Sequence, residues 1–165
     1  MLQFDITLFL LLNSVAGQYS IIDTAIVFFA EMALPLLCLF GVLFLRPWRW
    51  PAIVVLFLSM AAAWSTNALI GTFFFRPRPY VDLENVHLLI GTTFGSKSFP
   101  SDHTVLSFAF ACALFLIHKN LGIIALAVAL LIGLSRIMAG VHYPLDVLVA
   151  IGIGCIWAWF IKKIL

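Results

Sequence analysis

Charge is scarce in this chain. Asp, Glu, Lys and Arg make up only 10% of the 165 residues, against 64% hydrophobic residues and a mean hydropathy of +1.17. So little polar surface cannot cover a water-soluble globule, which excludes a soluble enzyme or binding module and makes a bilayer the expected solvent. Nine basic and seven acidic residues leave a formal charge of +2, with no basic run or acidic tail, so no nucleic-acid partner is expected. Cysteine is equally sparse. Cys38, Cys112 and Cys155 lie in separate apolar runs without framework spacing or a CxxC pair, which argues against a disulfide scaffold and for buried, reduced, structural residues. No Ser-, Gly- or Pro-rich linker, repeat or low-complexity segment divides the chain, so residues 1–165 read as one domain.

What is abundant is long apolar sequence. A helix needs about 20 residues to cross the hydrocarbon core, and four runs meet this: Ile22 to Leu45, Pro51 to Phe75, Leu121 to Met138 and Pro144 to Ile161. A shorter run, Asp102 to Ile117, is counted as a fifth span because skipping a crossing would break the charge pattern. Met1 to Leu12 is apolar but short and ends in a polar, small-residue break, Asn13 to Gln18; it reads as an interfacial or re-entrant helix. Ser14-Val15-Ala16 resembles a signal cleavage site, but Asp5 stands where a basic n-region would be, which argues against cleavage. The expected fold is all-α: a polytopic membrane helix bundle of about five transmembrane helices plus an N-terminal interfacial helix.

Five crossings put Arg46, Arg49, Lys119, Lys162 and Lys163 on one side and Arg76, Arg78, Lys97 and Arg136 on the other. The second set lies almost wholly inside chemically loaded motifs, so the first set carries the topological signal and marks the cytoplasmic side. Trp48, Trp50, Trp157 and Trp159 gather toward that side, as an aromatic belt would. The motif side is then extracytoplasmic.

Three polar clusters share the motif side. Arg76-Pro77-Arg78-Pro79 closes the second span: two prolines stop the helix, and two guanidinium forks suit phosphate oxygens. Taken alone, these would be ordinary snorkelling arginines. Ser98-Phe99-Pro100-Ser101-Asp102-His103-Thr104 opens the third span, with Ser101 as N-cap and Asp102 in the first turn, where free N–H groups form an anion site. Capping explains Ser101 and Asp102 but not His103, which suits proton transfer. Ser135-Arg136 ends the fourth span and is followed by His142-Tyr143-Pro144-Leu145-Asp146. His142 and Asp146 are four apart, so a carboxylate could fix one imidazole nitrogen and free the other to attack. A structural His–Asp pair is the bland alternative, yet ionisable residues in a membrane are expensive to place.

Arg78-Pro79, Pro100-Ser101-Asp102-His103, and Ser135-Arg136 with His142 and Asp146 together resemble the three-part signature of the type 2 phosphatidic acid phosphatase (PAP2) superfamily. The run from Asn67 to Pro79 and the Ser-Phe-Pro-Ser-Asp-His-Thr wording resemble its bacterial undecaprenyl-diphosphatase branch, the bacitracin-resistance type. The resemblance implies a lipid phosphatase of the bacterial cytoplasmic membrane with a lipid phosphate substrate; it implies no metal, and no cofactor or protein partner is expected. It implies His142 as nucleophile, Asp146 as its orienting partner and His103 as the acid that protonates the leaving oxygen and later activates water. Arg78, Arg136, Ser101 and first-turn N–H groups would hold phosphate. The chain departs from the pattern twice. Gly71 stands where the family has a lysine, so a phosphate ligand is missing for which Arg76 or Lys97 could compensate. Asp102 replaces the usual glycine; it is expected to point away, cap the helix or pair with a basic residue.

Two other readings remain. A phosphatase for phosphatidic acid or phosphatidylglycerol phosphate would carry the same motifs. An ion or solute transporter would place polar residues in mid-span, where only Glu31 stands, and Glu31 is assigned no role. His118, beside Lys119, reads as interfacial, and His87 as lying outside the chemistry.

Overall fold

The computed structural model describes residues 3–45, 50–91 and 97–165. Met1 of the first apolar run, and Arg46, Trp48 and Arg49 of the expected cytoplasmic loop, lie outside the described residues. The helices are α1 (Gln3–Asn13), α2 (Ser20–Val27), a π-helical turn (Phe28–Met32), α3 (Ala33–Phe44), α4 (Trp50–Phe73), α5 (Pro79–Asp82), α6 (Asp102–Ile117), α7 (Lys119–Met138) and α8 (Pro144–Ile164). Among the described residues there is no strand, only an isolated antiparallel bridge between Pro77 and Lys97.

Four helical stretches are long and apolar enough to cross a bilayer: Ser20–Phe44, Trp50–Phe73, Lys119–Met138 and Pro144–Ile164. The first is continuous through the π turn. Pro35 lies one turn after Glu31 in sequence; it has no N–H to give that carbonyl, and its ring crowds it, so the backbone widens just before it.

The expected fifth passage, α6, has 16 residues, about 24 Å of helix, and lies at the centre of the bundle against α4, α7 and α8. Its direction follows from its ends. Ile117 shares a groove with Pro51, Lys162 and Leu165, whereas its first turn meets the ends of α4 and α7 at the opposite pole. Small residues let the backbones close up: a Cβ on Gly154 would come within 2.8 Å of both Ala109 N and Val105 O, so α6 and α8 touch main chain to main chain. Cys112 and Cys155, both free and half-buried, meet across the same interface. Trp157, expected in the interfacial belt, instead donates its indole N–H to Thr66 Oγ1 at 2.9 Å within the bundle.

The N-terminal helix is docked on protein. Asp5, Phe9 and Asn13 recur every four residues and form one buried stripe. Phe9 packs on Tyr143 with ring centroids 5.4 Å apart. Asn13 donates to His87 O and Met138 O, both at 2.8 Å, and accepts from His87 N–H at 2.9 Å. His87 therefore serves the fold through its backbone.

Candidate active site

At the motif pole, between the π turn, the start of α6 and the end of α7, a cavity of about 460 Å³ opens. Arg78, Asp102, His103, Arg136 and His142 line it, joined by Glu31, Met32, Ile90 and Gly91. Arg78 and His142, 64 positions apart in sequence, converge because the helices alternate in direction and each cluster sits at a helix end facing this pole.

His142 lies in the turn between α7 and α8 and is 3% exposed. That turn needs Gly140, whose φ is +86° and whose added Cβ would stand 2.7 Å from His87 O. The imidazole Nδ1 is 2.8 Å from the Ser98 carbonyl oxygen. A carbonyl only accepts, so Nδ1 carries the proton and Nε2 keeps its lone pair for the cavity. This differs from the expected His–Asp hydrogen bond, because Asp146 Oδ2 is 3.8 Å from Nδ1. Asp146 is in the first turn of α8 and Oδ2 is already engaged by Tyr143 N–H at 2.8 Å and Ser98 Oγ–H at 2.5 Å. The carboxylate thus holds the loop that holds the histidine. Burial pushes the His142 pKa below the ordinary imidazole value; Asp146 opposes that shift, while Arg136 and Arg78 reinforce it.

The two arginines lining the cavity are fixed from behind. Arg78 donates Nε–H to Lys97 O at 3.1 Å. Arg136, in the last turn of α7 and 6% exposed, donates Nη1–H to Ala30 O at 2.9 Å, a carbonyl within the π turn. The widened turn therefore serves the site twice, accepting Arg136 and placing Glu31 on the cavity wall. Glu31 is a site residue that sequence reasoning left without a role; its position inside an apolar span was the available signal.

The remaining expected residues divide. Ser101 is fully buried at the N-cap of α6, with extended backbone angles and no side-chain cap bond; its Oγ accepts from Thr104 Oγ1 at 3.0 Å. Asp102 accepts from Asn67 Nδ2 at 2.8 Å, so its partner is an amide on α4 and not a basic residue. Arg76, expected to compensate at the phosphate, turns away from the cavity into ion pairs with Asp5 at 2.5 Å and Asp146 at 2.8 Å. Two nearby carboxylates outcompete the opening for its charge. Lys97 lies along α4 so that its Nζ is the atom nearest to where a Cβ on Gly71 would stand. The lysine occupies the space a side chain at position 71 would need.

The profile of the PAP2 superfamily matches residues 52–165. The chain is 32% identical over 162 residues to the bacitracin transport permease protein BcrC of Bacillus licheniformis, covering 96% of this chain and 79% of that one. It is 33% identical over 163 residues to the undecaprenyl-diphosphatase BcrC of Bacillus subtilis (strain 168), covering 93% and 82%. Among solved structures it is similar to Aquifex aeolicus LpxE, with a TM-score of 0.79 and 33% identity over 96% of this chain and 94% of that one. The bundle, the cavity at one pole and these likenesses together identify the chain as an integral membrane lipid phosphatase of the PAP2 superfamily.

Proposed function

We propose that the protein hydrolyses an isoprenyl diphosphate to the monophosphate through a phosphohistidine on His142. The observation that carries the mechanism is the Ser98 carbonyl on His142 Nδ1, which leaves Nε2 as a nucleophile in a cavity shared with His103, Arg78 and Arg136. Nε2 attacks the terminal phosphorus, and the bond to the bridging oxygen breaks. His103 gives its proton to the departing lipid monophosphate. His103 then takes a proton from water, whose oxygen attacks the phosphohistidine, releasing inorganic phosphate and restoring His142. Arg78 and Arg136, with the N–H groups of the first turn of α6, stabilise charge on the phosphoryl oxygens. Ser101 supports that turn.

The choice of a diphosphate is supported by the undecaprenyl-diphosphatase among the relatives. The resemblance to the bacitracin-resistance branch and the cluster of Lys119, Lys162 and Lys163 at the opposite pole favour the bacterial cytoplasmic membrane with the site facing outward. The test is phosphate release by the purified protein from isoprenyl diphosphate, phosphatidic acid and phosphatidylglycerol phosphate. Isoprenyl diphosphate should have the highest kcat/KM, and His142→Ala should abolish release from it. Preference for either glycerolipid would overturn the substrate assignment, and an active His142→Ala would overturn the mechanism.

A further inference from the structure

Behind the cavity, a chain of polar contacts leads from the nucleophile to the N-terminal helix. The Ser98 carbonyl that accepts from His142 belongs to a residue whose Oγ–H is bonded to Asp146 Oδ2 at 2.5 Å. The other carboxylate oxygen of Asp146 takes Arg76 Nη1 at 2.8 Å, and Arg76 Nη2 continues to Asp5 Oδ2 at 2.5 Å. Asp5 Oδ1 also accepts from Leu145 N–H at 2.9 Å, in the first turn of α8. The Arg76 guanidinium carbon lies over the Tyr143 ring, 3.7 Å from its centroid.

Asp5 is 4% exposed and Asp146 is fully buried. Withdrawing such charges from water is costly, and an apolar filling of similar volume is often as stable. Stability alone does not account for the network, whereas a fixed geometry at its far end does. The family profile begins at residue 52, so the signature shared across the superfamily assigns nothing to Asp5.

We propose that Asp5 is a positioning residue for catalysis, acting through Arg76 and Asp146 to fix the Ser98 carbonyl that aims His142. The helix α1 is then a working part of the active site. The proposal rests on His142 being the nucleophile.

Asp5→Asn keeps the side-chain shape and an acceptor for Leu145 N–H but removes the charge that holds Arg76. In the purified full-length protein, with a short-chain isoprenyl diphosphate as substrate, kcat should fall about tenfold while KM stays within about twofold. Arg76→Gln should show the same split, and the double variant should be no worse than the weaker single, because both act through one contact. Wild-type kcat in Asp5→Asn, a loss expressed mainly in KM, or additive losses would overturn the proposal. If Asp5→Asn lacks a cooperative melt in detergent, Asp5→Glu replaces it in the same cycle; a kcat loss at constant KM supports the role, and unchanged kcat overturns it. Full activity in Asp5→Asn beside an inactive His142→Ala sinks this proposal alone, whereas an active His142→Ala sinks the mechanism beneath it.

Discussion

The tautomer of His142 is selected by a backbone carbonyl, an acceptor that carries no side-chain identity. Its consequence for pH follows from burial. Desolvation is the largest influence on this imidazole and disfavours the charged form, so its pKa lies below the ordinary value and the neutral nucleophile persists as pH falls through that value. The acid limb of kcat/KM should therefore lie below about 6.5, the ordinary imidazole pKa. A pH–rate profile with that limb at or above the ordinary value would contradict the environment described for His142. At this scale Arg78, His103, Arg136 and His142 could be read from the sequence, since each is a costly polar group at the end of an apolar run. Ser98 could be read as part of a cluster but not as the histidine's partner, because main-chain acceptors leave no trace in residue type. The nearness of Asp146 to His142 was legible from their spacing but the direct hydrogen bond expected between them is not made, since first-turn spacing says nothing about competition from Tyr143 N–H and Ser98 Oγ–H.

Among the helices, the exchange between α4 and the segment at Lys97 is the clearest departure from the family pattern. Gly71 on α4 has no side chain, and Lys97 reaches into the space this leaves. We infer that Lys97 supplies the positive charge the family places on the helix. Lys97→Ala should raise KM about tenfold, the scale of one charge-assisted phosphate contact, and adding Gly71→Lys to it should restore much of the loss. Unchanged KM in Lys97→Ala would refute the exchange. The four long passages were legible because apolar length is written directly in the sequence, whereas the shorter α6 was counted from the charge pattern. The π turn could have been suspected from Pro35 close after Glu31, but its pairing with Arg136 joins residues 106 positions apart and depends on how α7 packs. The docking of α1 was hidden for the same reason: Asp5 is a lone acid until Arg76 and Leu145 are brought to it.

For the molecule as a whole, the two poles carry different chemistry. One gathers the cavity and its arginines, the other Lys119, Lys162 and Lys163. With the basic pole inside the cell, single cysteines at position 84 should react with an impermeant maleimide in intact cells and those at position 163 should not, in a background lacking Cys38, Cys112 and Cys155; Glu84 and Lys163 are both exposed. The reverse pattern would invert the protein and make it a phosphatase of cytoplasmic lipid. The covalent step on His142 is tested most directly by the stereochemical course at phosphorus, using an isoprenyl diphosphate whose terminal phosphoryl group is made chiral with oxygen isotopes and sulfur. Two successive in-line displacements, first by His142 and then by water, predict net retention of configuration in the released thiophosphate. Net inversion would mean that water attacks the substrate directly, and would contradict the phosphohistidine.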